Sequence, residues 1–383
     1  MKRENQTGRE DRVEKRLKGI YIHIPFCLKK CDYCDFYSLD YWDEDLVLAY
    51  LSSLKREIEF TGCIWEPYTL YIGGGTPTAL SYHHLKFLLD FLKVWFTDPV
   101  EFTVEANPMT LDDDKLRLLR DYGVSRISLG VQSFSDRILE VLGRIHRVKD
   151  ALYAIDMVTK YFDNFNIDII YSTPTETFSD LEVTLHYLEK IRPPHLSLYS
   201  FILDEETPIY KRIKEGILSM DDEEIFEKKT EFIVSILKGL GYLRYEVSNF
   251  ALSNRYRCLH NLIYWNLRDY YGFGVSAHSF TGGVRYRNAC DIKGYIRDPL
   301  SVRVLEYRLG DEYYRELMML ALRTSCGIPL RKLPRRLRLK VLDLARDLKE
   351  AGLIDIVGNR IVCTDRGFNL LNTLIVQLWS ALD

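Results

Sequence analysis

Between residues 19 and 240, short apolar runs alternate with amphipathic stretches, and this alternation most constrains the fold of the 383-residue chain. The runs GIYIHIPF, TLYIGGG, EFTVEAN, RISLGVQ, FNIDIIYS and HLSLYSFIL have the length and β-branched content of buried strands. Between them apolar residues recur at helical spacing. Leu46, Leu51, Leu54 and Ile58 mark a helix over 43–60, Leu85, Leu88, Leu89 and Leu92 one over 81–95, and Leu111, Leu116 and Leu119 one over 111–122. Residues 149–162 and 179–191 read the same way. Strands each followed by a helix predict a parallel sheet with right-handed crossovers. In such sheets ligands gather at the C-terminal ends of the strands. The pattern alone fits a doubly wound sheet as well as a barrel.

Punctuation and composition divide the chain further. Residues 1–18 form a charged tail, and 19–240 the α/β core, closed by a helix over 221–240 that Gly241 ends. Residues 241–310 are rich in aromatics and glycine and read as an irregular or strand-like extension completing the site. Residues 311–383 read as two helices, a short hairpin and a final helix, a winged-helix-like arrangement. Its segment RKLPRRLRLK, 331–340, is basic, and a solvated face is its ordinary role.

A net charge of −3 gives no global basic field, so nucleic acid is not an expected partner. The opening MKRENQTGREDRVEKRLKG contains no apolar leader, and no run of 18 or more apolar residues follows, so a cytoplasmic chain with reduced thiols is expected.

Against that background the cysteines stand out. Cys27, Cys31 and Cys34 follow the first strand at spacing C-x3-C-x2-C. Three thiolates from one short loop can converge on a single metal centre, and soft thiolates select zinc, copper(I) or iron–sulfur. A closed zinc site or a self-contained cluster needs four protein ligands, and no fourth Cys or His stands at local spacing. Cys63, Cys258, Cys290, Cys326 and Cys363 are scattered and read as small buried hydrophobes.

Later strand ends carry further polar groups. GGGTPT, Gly73 to Thr78, follows the second strand, where glycines let the backbone approach a ligand. Glu105 and Asp168 interrupt apolar strands, where an unpaired carboxylate is costly. Either an internal salt bridge with Arg126 or Arg144, or the hydroxyls of a ligand, must satisfy them.

The C-x3-C-x2-C loop resembles the signature of the radical S-adenosylmethionine (SAM) superfamily. The strings YIHIPFCxxxCxYC, GGGTPT, GVQSF, NIDIIY, YEVSNFA, HNxxYW and GxGxxAHSF resemble the oxygen-independent coproporphyrinogen III oxidase group, from about residue 19 to the C terminus. The resemblance implies a partial (β/α)6 radical SAM barrel with a C-terminal winged-helix-like domain. It also implies a 4Fe–4S cluster on Cys27, Cys31 and Cys34, with SAM chelating the fourth iron. The SAM contacts it implies are Tyr21, Tyr33, Gly74, Gly75, Thr76, Glu105, Gln132, Arg144 and Asp168, with Ile202 and His278 lining the same site. True oxidases of the group carry a further cysteine where this chain has Phe36. CDF and the HNLIYW string at 260–265 resemble instead the HemW branch, which the resemblance describes as haem chaperones. These bind haem, pass it to acceptor proteins and lack the oxidase activity.

Oxidative decarboxylation of coproporphyrinogen III is the alternative function. His260 is the candidate haem ligand, with His278 and Cys258 as rivals. A haem-accepting protein is the expected partner, and peripheral membrane contact and a homodimer stay open. The chain departs from the group once. Where the group has Y-G-x-P-G-Q-T, this chain has YSTPTET, with Ser172 and Thr175 replacing glycines and the loop's shape thereby in question.

Overall fold

The structure, a computed structural model, describes residues 18–308 and 310–382. The charged tail over 1–17 lies outside the described residues.

The expected strands form as β1 (Gly19–Ile24), β2 (Thr69–Gly74), β3 (Glu101–Ala106), β4 (Arg126–Gln132), β5 (Phe165–Tyr171) and β6 (His195–Ser200). They lie side by side in chain order, all parallel. A doubly wound sheet would reverse direction at a switch point. The uninterrupted order is that of an open, partial barrel. Period-2 alternation gives each strand two faces. Ile20, Ile22, Ile24, Ile72, Val104, Ile127, Leu129 and Ile167 are fully buried or nearly so in the main core beneath the helices. The alternate positions are polar or aromatic and face inward: Tyr21, Tyr71, Glu105, Ser128, Asp168 and Ser197.

The extension is more regular than its sequence suggests. β7 (Leu243–Arg244) and β8 (Asn249–Ala251) join antiparallel beyond β6. β9 (Tyr270–Phe273) pairs parallel to β1, and β10 (His278–Thr281), β11 (Val284–Asn288) and β12 (Arg303–Arg308) continue antiparallel. The result is a 12-stranded sheet with the parallel barrel at its centre.

Helices Asp311–Leu322, Arg335–Glu350 and Leu371–Trp379 pack with a three-stranded sheet of β13 (Ile328–Pro329), β15 (Arg360–Cys363) and β14 (Ile354–Val357). Val341, Ala345, Leu374 and Leu378 build a second core there. Ile263, Tyr270 and Phe280 of the extension belong to the same core and seat this unit on the sheet. Of the five scattered cysteines only Cys258 is buried. Cys63, Cys290 and Cys326 are exposed, contrary to the hydrophobe reading, because each lies in a surface loop or turn. No helix among the described residues is long and apolar enough to cross a membrane.

Candidate functional site

A cavity of about 580 Å³ runs through the barrel. Its mouth lies at the C-terminal ends of the strands, between the cysteine loop and the segment after β6 that carries Ile202. Its floor lies at the N-terminal ends.

Backbone and side-chain bonds shape the cysteine loop. Cys27 N donates to Leu39 O (2.8 Å), Trp42 Nε1 to Cys27 O (2.8 Å) and Asp32 N to Leu142 O (3.1 Å). All three thiols are free, half-buried and on the cavity wall. Cys27 Sγ lies 3.7 Å from Thr76 Oγ1, and Arg144 Nη1 donates to Cys31 Sγ at 3.3 Å. Burial pushes the Cys27 thiol up, and that of Cys34 to about 11. Without metal these two thiols hold their protons, so loading releases them.

The glycine loop fits against this one closely. A Cβ on Gly75 would stand 2.9 Å from Phe26 O and 3.0 Å from Cys27 Sγ, and Gly74, at φ +115°, would place one 2.7 Å from the His23 ring. Glycine here lets two loops touch, as well as leaving backbone groups open to a ligand.

Inward-facing carboxylates line the middle of the cavity. Glu105 accepts from Tyr71 Oη (2.7 Å) and Gly74 N (3.1 Å), and burial lifts it to about 7. Asp168 accepts from Asn166 Nδ2 (2.8 Å) and Ser128 Oγ (3.1 Å), and burial raises it too. Neither forms the internal salt bridge weighed from sequence. Arg144 is spent on Cys31, Asn107 Oδ1 (2.5 Å) and Gly130 O (2.7 Å), and Arg126 makes no ion pair among the described residues, its Nη2 lying beside His195 instead. Gln132 sits at φ +70°, beside a register shift in the β4–β5 pairing after Gly130. Such a shift re-aims a side chain at a strand end.

Tyr21, Tyr33, Gly74, Gly75, Thr76, Glu105, Gln132, Arg144, Asp168 and Ile202 all line this cavity with the cysteines, and so does His260. His278 does not line it. It projects from β10, half-exposed, with Nε2 3.2 Å from Glu306 Oε1. Tyr71, Asn107, Ser128, Ser197 and Tyr199 also line the cavity and were passed over in the sequence. Alternate polar residues in apolar runs, as in HLSLYS, were the signal available.

His260 stands at the floor, on the helix Leu259–Trp265. Glu101, at the start of β3, accepts from Leu259 N (2.9 Å) and His260 N (3.0 Å) and pins that helix beneath the barrel. The imidazole is buried, with Nδ1 2.7 Å from Thr69 Oγ1 and Nε2 2.6 Å from Tyr264 Oη. Burial, then the Arg126 charge, lower it to about 3, so it is neutral.

The donor set fits a group larger than a single ion. Among the described residues no three His, Cys, Asp or Glu side chains converge on one metal ion. Three thiols along one loop, facing a cavity and lacking a fourth partner, suit a cluster with one open corner.

Residues 21–188 match the sequence model of the radical SAM superfamily, and 310–370 that of the HemN C-terminal domain. The Escherichia coli coproporphyrinogen III oxidase HemN, a radical SAM enzyme, shares the fold. Its TM-score is 0.82 at 22% identity, covering 95% of this chain and 90% of that one. Fold and site thus define a radical SAM protein with a HemN-type C-terminal domain, a class that carries a 4Fe–4S cluster and SAM in general. The chain is 35% identical over 368 residues to heme chaperone HemW of Bacillus subtilis, covering 92% of this chain and 96% of the relative. It is 35% identical over 365 residues to that of Lactococcus lactis, covering 93% and 96%. It belongs to the HemW family.

Proposed function

We propose that this chain binds haem and passes it to acceptor proteins, on a scaffold that holds a 4Fe–4S cluster and SAM. The observation that carries the reading is the likeness, over more than nine-tenths of the chain, to relatives named heme chaperones. Phe36 supports it. It stands where the oxidase pattern has a cysteine, it is 65% exposed, and it lies at the cavity mouth.

Cys27, Cys31 and Cys34 would hold the cluster, which would supply an iron site for binding SAM. Glu105 and Asp168 present acceptors for hydroxyl or amino groups, Gln132 and the Gly74–Gly75 backbone line the upper wall, and Arg144 orients Cys31. Tyr33, Thr76 and Tyr21 complete the SAM lining. The domain limits proposed are 19–240 for the barrel, 241–310 for the extension and 311–383 for the C-terminal unit, in a cytoplasmic protein.

His260 is the best of the haem-ligand candidates. Cys258 is fully buried, with its thiol near Glu101 and raised to about 12, and His278 lies outside the cavity. A neutral imidazole suits iron, and the Tyr264 hydroxyl would be the group displaced.

Anaerobic incubation of reconstituted protein with SAM, reductant and coproporphyrinogen III tests the reading against the oxidase alternative. The expected result is no decarboxylated product above a Cys27→Ala control. Product well above that control would replace the chaperone reading with the enzymatic one.

A further inference from the structure

Arg126, the first residue of β4, is 2% exposed and lines the cavity at its floor. Its Nε has no acceptor. Among the described residues the one polar contact of its guanidinium is Nη2 to His195 Nδ1 at 3.2 Å, and the surrounding network decides whether that is a hydrogen bond. Cys258 N donates to Tyr245 Oη (3.1 Å), which leaves the hydroxyl's own proton for His195 Nε2 (2.8 Å). His195 Nδ1 therefore carries the ring proton and donates to Asn166 Oδ1 (2.6 Å). That atom is oxygen, because the other end of the amide donates to Ser128 Oγ and Asp168 Oδ1, both at 2.8 Å. A flipped amide would set oxygen against carboxylate oxygen. Arg126 Nη2 thus faces a donor, and the buried guanidinium has no acceptor among the described residues.

The nearby carboxylates are engaged elsewhere. Glu101 holds the helix at Leu259 and His260, Glu105 takes Tyr71 and Gly74, and Asp168 takes Asn166 and Ser128. Burial works against the Arg126 charge, but the neighbouring Cys258 and Glu101 outweigh it and hold the group above its ordinary value without satisfying its N–H groups. A buried charge with open donors is costly and calls for a partner. The planar fork of a guanidinium matches a carboxylate.

We propose that Arg126 binds a carboxylate of a ligand seated in the lower half of the barrel cavity. Beside it stand Tyr21, Tyr71 and His260, the last two stacked with ring centroids 4.9 Å apart, a wall that suits a flat apolar body. Two ligands of the proposed function carry carboxylates. The SAM carboxylate belongs at the cysteine end, six strand steps or roughly 20 Å from Arg126. A haem propionate is therefore the favoured source, and that half of the inference rests on the haem reading.

Absorption titrations with haemin and with haemin dimethyl ester, on wild type, Arg126→Gln and Arg126→Lys, test it, with SAM binding followed by equilibrium dialysis. Wild type should prefer haemin to the diester by roughly tenfold or more, Arg126→Gln should erase that preference, and Arg126→Lys should retain part of it. If instead only SAM affinity falls, the carboxylate is that of SAM. If Arg126→Gln changes neither the haemin-to-diester ratio nor SAM affinity, the proposal is overturned. Should Arg126→Gln not fold, equal haemin and diester affinity in wild type, with unchanged SAM affinity in Arg126→Lys, overturns it as well. Failure of wild type to bind haemin removes the haem reading, while the SAM arm still tests Arg126.

Discussion

Arg144 Nη1 lies 3.3 Å from Cys31 Sγ, and this contact ties the cysteine loop to the segment beyond β4. The same guanidinium donates to Asn107 Oδ1 and Gly130 O, so one side chain braces the loop after β3, the end of β4 and the cluster loop. Arg144→Leu would leave those partly buried acceptors without this donor. A loss of about 3 kcal/mol in unfolding free energy is expected, with lower iron and sulfide per chain after reconstitution. Urea denaturation and iron analysis check the two effects. Full stability and full iron content would mean that the brace is idle.

Gly75→Ala tests the closeness of the two loops. Its Cβ would meet Phe26 O and Ile24 O, which are backbone atoms and cannot swing aside, as well as Cys27 Sγ. Overpacking of this kind costs about 1–3 kcal/mol. Cluster absorption should fall more than far-ultraviolet circular dichroism, because the damage centres on Cys27.

The loop after β5 gives a prediction of the opposite sign. Ser172 and Thr175 sit at φ +56° and +62°, the left-handed region that glycine occupies without cost. Local bonds hold them there: Ser172 N donates to Glu176 Oε2 (2.6 Å), and Thr175 N to Ser219 O (2.8 Å). Thr175→Gly should therefore stabilise the chain by about 1 kcal/mol, raising its thermal midpoint. Ser172→Gly should gain less, since it also removes a hydroxyl bonded to Asp221. A lower midpoint for Thr175→Gly would show that the threonine side chain matters more than the backbone strain.

Glu246 predicts a pH effect. It is fully buried at the junction with the C-terminal unit, bridged to Thr324, with Oε2 lacking a partner. Burial lifts it from 4.5 to about 7. The folded chain therefore holds this proton more tightly than the unfolded chain does. The resulting stability is complete below about pH 4.5 and is lost as pH rises through about 7. Glu105 and Glu176, both also lifted to about 7, act in the same direction. Buried neutral histidines such as His260 act in the opposite direction up to their unfolded value of 6.5. The comparison is therefore made above it: from about pH 6.5 to 8 the thermal midpoint should decline, and that of Glu246→Gln should decline less. Parallel slopes would contradict the assignment.

Much of the barrel was legible because its signals are local. Apolar runs, leucine spacing and the cysteine triplet each sit within a few residues, and the carboxylates Glu105 and Asp168 stood out against apolar neighbours. What could not be read depends on register and distant pairing. Asp168 lies level with Gly130 on one side and Ser197 on the other, which no single segment encodes. β9 finds β1 across most of the chain, so the extension looked irregular. Arg126 and Arg144 read as equivalent counter-ions in the sequence, yet one braces the cysteine loop and the other has no acceptor among the described residues. The YSTPTET departure put that loop's shape in question, whereas the structure keeps left-handed backbone at both replaced positions.

The most direct test is an anaerobic haemin titration of the reconstituted chain, followed by the Soret band, beside Tyr264→Phe and His260→Ala. The expected result is a saturable shift at one haem per chain. Tyr264→Phe should tighten binding, because the hydroxyl that iron must displace is gone, and His260→Ala should weaken it by roughly tenfold or more. A featureless, non-saturating titration in wild type would contradict the haem chaperone reading.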